Sequence, residues 1–175
     1  MFTPVRYQAA VLALALGVQP VVAQNLMHRS VANIVDADKW SVATGTHNGS
    51  ALVVRYRDGF ESHPDVAAFP RRLTITWTYK PDATGMPTQA SGDAMGTFED
   101  RLIPALEHDL SAVLTAVITN AGTRQWILYT GNASECTKRI NSMPQQKTRY
   151  PIAIEIENDA NWTFLYENIL DGMRK

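Results

Sequence analysis

The 175-residue chain has a single cysteine, Cys136, no apolar run long enough to cross a bilayer, and no excess of either charge. A lone thiol cannot close an internal disulfide, so the fold must rest on a hydrophobic core, and Cys136 reads as a buried structural residue. Sixteen Lys and Arg stand against seventeen Asp and Glu, a net charge of −1. That balance excludes the clustered positive charge that phosphate backbones demand, so no nucleic-acid partner is expected. Ten Gly and nine Pro are scattered along the chain, which excludes collagen-like and low-complexity classes. Missing too are the Gly-x-Ser-x-Gly elbow, a glycine-rich phosphate loop ending in Lys, and the paired histidines of a zincin. The residues therefore imply no cofactor. His28, His47, His63 and His108 are widely spaced and read as solvated surface groups, with no metal site among them.

What is present is enough apolar material, 45% of residues, for one globular domain. Residues 1–23 read as a signal peptide: one charge at Arg6, an apolar stretch from Ala9 to Val18, then Val21 and Ala23 before a cut expected between Ala23 and Gln24. The stretch falls short of the roughly 20 residues of a membrane span, so a periplasmic or secreted protein with no stable membrane insertion after cleavage is expected. Residues 24–37 read as a leader and residues 38–175 as a single domain.

Within that domain, Lys39–Thr44 and Ser50–Arg57 are strand-like runs joined by Gly45-Thr46-His47-Asn48-Gly49, in which the Asn48-Gly49 pair tolerates positive φ and favours a hairpin. Leu73 to Tyr79 alternates apolar residues with Thr74, Thr76 and Thr78, the period of a strand. Met95, Phe98, Leu102 and Leu106 recur at helical intervals, with Ser91 or Asp93 placed to cap the helix and Pro104 placed to kink or split it. A second hairpin is expected from Ala112–Thr119 and Gln125–Thr130 around Asn120-Ala121-Gly122. A capped helix follows over Ala133–Ser142, then a strand carrying Ile152, Ile154 and Ile156, then a helix from Trp162 to Leu170. The order predicts an α+β fold: a ferredoxin-like βαββαβ core preceded by a β-hairpin, with an antiparallel sheet, helices mainly on one face and the other face half-solvated.

Trp40, Val53-Val54-Arg55, Ile75-Thr76-Trp77-Thr78-Tyr79, Gly85-Met86-Pro87, Phe98-Glu99-Asp100, Arg124-Gln125-Trp126-Ile127-Leu128-Tyr129-Thr130, and Tyr150-Pro151-Ile152 followed by Asp159 and Trp162 together resemble a bacterial family, the domain of unknown function 695. The likeness spans roughly Lys39 to Tyr166, with Ala160 where members tend to carry Pro. It implies where the domain lies and no particular activity.

Function is expected to lie in binding a protein or peptide partner through an open sheet face. The surface would combine Arg55 and Arg57 with Thr74, Thr76 and Thr78, and Arg124 with Trp126 forms a smaller version of it. The four tryptophans read chiefly as core anchors. Glu99, Asp100, Glu107 and Asp109 read as the solvated side of the long helix, since neighbouring positions point apart. The alternative is a hydrolase whose residues converge only in the fold, visible as a deep pocket gathering perturbed acids or His108.

Overall fold

The computed structural model describes residues 30–145 and 149–173; the expected signal peptide and most of the leader lie outside them. Both hairpins form at the turns the sequence singles out. Asn48 and Gly49 adopt φ of 49° and 78°, and Ala121 and Gly122 adopt 46° and 86°, the left-handed pair that matches strand twist. Gly122 is further constrained, because a Cβ there would sit 3.2 Å from the Tyr79 carbonyl oxygen.

Six strands build one antiparallel sheet: β1 (Trp40–His47), β2 (Ser50–Arg57), β3 (Arg71–Thr78), β4 (Ala112–Asn120), β5 (Thr123–Thr130) and β6 (Ile152–Asn158), in the order β1-β2-β4-β5-β3-β6. The fold is α+β. The β3-to-β4 crossover through α2 (Gln89–Leu106) leaves room for β5 between its ends, and the β5-to-β6 crossover through α3 (Ala133–Ser142) leaves room for β3. The first hairpin extends this split β-α-β unit on the β4 side.

α2 starts earlier than expected, with Thr88 Oγ1 accepting from Ser91 N as the N-cap. It continues through Pro104 to Leu106 without being split. Met95, Phe98, Leu102 and Leu106 sink against Leu73, Ile75, Trp126 and Leu128, and α3 adds Cys136 and Ile140 to this core. The Cys136 thiol lies 3.2 Å from Thr130 Oγ1, and burial pushes its pKa up, which suits a structural role.

The opposite face is covered as well, contrary to the half-solvated sheet expected. Part of the segment read as a leader forms α1 (Val31–Ala37), capped by Ser30, and buries Val31 and Ile34 there. A π-helical segment, Phe164–Leu170, supplies Leu165, Ile169 and Leu170. The helix expected from Trp162 to Leu170 thus forms two residues later, and Trp162 stands before it at φ 56°, stacked on Tyr129 with centroids 4.1 Å apart. Period-2 alternation reports two unlike faces; it says nothing of short segments from the chain ends that roof the second face. Among the described residues no helix is long and apolar enough to cross a membrane.

Candidate functional site

Side chains on a strand point to one face at every second residue, and side chains four apart on a helix share a stripe. Arg55 and Arg57 on β2 therefore face the same way as Trp40 and Val42 on β1 and Val117 on β4, toward the α2 stripe of Glu99, Ile103 and the C-cap Glu107, which supplies two matching acids. The result is two guanidinium groups facing two carboxylates between sheet and helix.

Arg57 is 1% exposed and fully used. Its Nη2 donates to both carboxylate oxygens of Glu107 at 2.9 and 2.8 Å, its Nε to the Leu114 carbonyl at 3.0 Å, and its Nη1 to the Val35 carbonyl at 3.0 Å and Asp38 at 3.3 Å. A bulge in β4 explains why Leu114 is free to receive it. The register shifts between Leu114 and Ala116, so the Leu114 N–H also turns inward and donates to Glu107 Oε1 at 2.7 Å. Burial pushes the Glu107 carboxyl up, and the charge of Arg57 opposes that shift. This is a closed pair, tied at every donor to α1, α2 and β4.

Arg55, two residues earlier, is partly open. It donates to Glu99 Oε1 at 2.5 Å, while Trp126 Nε1 donates to Glu99 Oε2 at 2.7 Å. Trp40 lies against both arginines, its ring 4.7 Å from the Arg55 guanidinium and 4.4 Å from that of Arg57, two cation–π contacts. The Arg55 Nε is buried with no hydrogen-bond partner among the described residues.

Glu99 also borders open space on this face of the sheet. A cleft of about 190 Å³ runs there from Val42 to Arg124, floored by Val53 and Val117. A second hollow of about 280 Å³ shares Arg55 and Glu99 with it and reaches Trp40 and Arg57. Arg124 is half-buried in the first cleft and makes one hydrogen bond, Nε to Thr119 Oγ1 at 3.0 Å. Burial lowers its pKa and the nearby Glu99 charge works the other way, but both Glu99 oxygens are already engaged by Arg55 and Trp126. The cleft thus holds two guanidinium groups and one committed carboxylate, a local excess of one positive charge.

Of the residues singled out from the sequence, Arg55, Arg124 and Trp126 come together around Glu99, and Arg57 lies beside them on Glu107. Thr74, Thr76 and Thr78 do not join them. The register places the threonines on the opposite face, beside Ile127, Gln125 and Thr123 on β5 and Glu155 and Ala153 on β6, and Thr74 is buried there. The partners missed by sequence reasoning are Glu99 and Glu107, read as solvated. The available signal was their i, i+8 spacing on one helical stripe matched to arginines at i, i+2 on a strand. Asp100 is exposed, as expected from its neighbouring position, and so is His108. Among the described residues no group of three or more His, Cys, Asp or Glu could hold a metal ion.

A family model described as a family of unknown function, DUF695, matches residues 38–170. No curated protein and no solved structure matches the chain.

Proposed function

The chain belongs to the DUF695 family of unknown function, and from the geometry we propose that this member is a binding domain that captures a carboxylate of a protein or peptide partner in the Arg55–Arg124 cleft. The observation that carries the reading is Arg124, a half-buried guanidinium whose side chain has, among the described residues, one hydrogen bond and no carboxylate of its own. Structural arginines are normally paired when buried, as Arg57 is. The planar fork of a guanidinium suits a carboxylate bidentately. One excess positive charge matches one carboxylate, whereas a phosphate dianion would leave negative charge uncompensated against the valine floor.

The test is calorimetric titration of the purified protein with glutarate, which can place one carboxylate in the cleft and leave the other outside in solvent, and with inorganic phosphate, whose charges cannot be separated, for comparison. Glutarate is expected to bind in preference to phosphate, and Arg124→Gln is expected to weaken it by about tenfold or more, the worth of a charged hydrogen bond. Equal binding by the native protein and Arg124→Gln would remove the cleft from consideration.

The same reading has the protein exported to the periplasm or secreted, supported by the signal-type pattern of residues 1–23. Mass spectrometry of the protein recovered outside the cytoplasm is expected to give an N-terminus at Gln24; a retained Met1 contradicts it.

A further inference from the structure

The two edges of the sheet are built differently. β6 is guarded in the usual ways, with Pro151 immediately before it and Glu155 and Glu157 along it. β1 has eight residues, Trp-Ser-Val-Ala-Thr-Gly-Thr-His, without a Lys, Arg, Asp, Glu or Pro, and it pairs with β2 in unbroken register without a bulge. Its outward backbone groups can be assigned. The Lys39 carbonyl accepts from Asp58 N at 2.9 Å, and hydrogen-bonded pairs alternate along an antiparallel ladder. Ser41, Ala43, Gly45 and His47 therefore bond inward to β2, while Val42, Thr44 and Thr46 turn N–H and C=O outward. No backbone bond from the described residues reaches that edge.

The same even-numbered residues carry their side chains on the α2 face. Val42, 62% exposed, is both the outward-bonding residue and the mouth of the Arg55–Arg124 cleft. A strand laid along β1 would place the side chain opposite Val42 on that same face, about 10 Å across the sheet from the Arg55 backbone, and the Arg55 guanidinium lies over Trp40 of β1 toward it. We propose that β1 accepts an extended segment of a partner protein as a seventh strand, its backbone pairing with Val42, Thr44 and Thr46 and an acidic side chain opposite Val42 reaching the Arg55 guanidinium at the near end of the arginine cleft. The inference rests on the carboxylate reading of that cleft. Charge complementarity selects such a segment over a second copy of this chain, since β1 itself offers no acid to the arginines. Strand addition of this kind takes affinity from the main chain and specificity from alternate side chains.

The experiment selects a random heptapeptide library against the purified protein and measures the enriched peptides on native protein and on Thr44→Pro, with glutarate titrated in parallel. Thr44→Pro removes an outward N–H that β2 does not use, and proline is tolerated at such edge positions. The expected result is enrichment of acidic peptides that lose about tenfold or more in affinity on Thr44→Pro, while glutarate binds both proteins alike. N-methylation of alternate peptide residues, which leaves the protein untouched, is expected to cause a loss of the same order. Peptides that bind Thr44→Pro and their N-methylated forms undiminished overturn the inference, as does a library that yields none. A β1-mediated dimer that Thr44→Pro disperses, with no peptide enriched, gives the edge to a second copy and overturns it too. Edge-dependent peptides without acids, together with absent glutarate binding, identify the failure as that of the cleft reading.

Discussion

Arg57 and Arg124 lie on the same face of one sheet, the first buried and the second half-buried, yet only one is finished. Arg57 has acceptors on α1, α2 and β4 for its whole fork, including both oxygens of Glu107. Arg124 has a single hydroxyl. A half-buried charge without a carboxylate partner is partly desolvated for no return, so a fold that merely needed to fill the space beside Thr119 would do as well with an apolar residue there. The difference teaches which arginine holds the fold together and which one is left for something outside it.

The largest break in this comparison is Arg57→Leu. It strands the Glu107 carboxylate and the Leu114 carbonyl in the core, and unfolding in urea is expected to show a loss of about 3–5 kcal/mol. Arg57→Leu combined with Glu107→Leu is expected to recover most of that loss, because no unpaired charge remains. Trp126→Phe acts on the hinge between the two regions. It keeps the ring in the core but removes the Nε1 donor to Glu99, and a cost of about 1–3 kcal/mol in the same assay is expected.

The next effects sharpen the contrast instead of breaking it. Arg124→Met is expected to leave stability within about 1 kcal/mol of native while abolishing glutarate binding, since the methionine stem keeps the packing and sheds an uncompensated charge. Glu99→Gln removes the negative charge beside Arg124, and glutarate is expected to bind about fivefold tighter, the worth of roughly 1 kcal/mol of relieved repulsion near a surface.

The smallest effect distinguishes the two regions by pH. Burial pushes the Glu107 carboxyl above its ordinary 4.5, so the folded state binds that proton more tightly than the unfolded chain does. Its contribution is then fully present below pH 4.5 and lost as pH rises through the folded value. Native stability relative to Glu107→Gln is accordingly expected to increase as pH falls from 7 to 4.5, followed by urea midpoints. Arg124→Met compared with native has no group titrating in that range and is expected to show no such slope.

Much of the fold is legible in the chain because its signals are local. Asn48-Gly49 and Ala121-Gly122 set the hairpins, Thr alternation marks β3, and the three-and-four spacing of Met95, Phe98, Leu102 and Leu106 marks α2. The covering of the second face is not local. Val31, Ile34 and Leu165 belong to short chain-end segments whose pattern is weak until the sheet is there to receive them.

The site is half legible for the same reason. Arg55, Arg57, Arg124 and Trp126 stand out as charged or polar groups on strands, but a glutamate on a helix has the same appearance whether it meets water or an arginine. Only the crossing of α2 over β2 turns Glu99 and Glu107 inward. The threonines went to the wrong partner set because alternation fixes which residues share a face within β3 and leaves open which face of β2 they join.

The most direct test of the account is nuclear magnetic resonance of the arginine side-chain Nε–Hε groups during a glutarate titration. The account predicts that the Arg124 signal moves saturably, with Arg55 following and Arg57 still. Arg57 moving together with Arg124, or all three drifting without saturation, would contradict it.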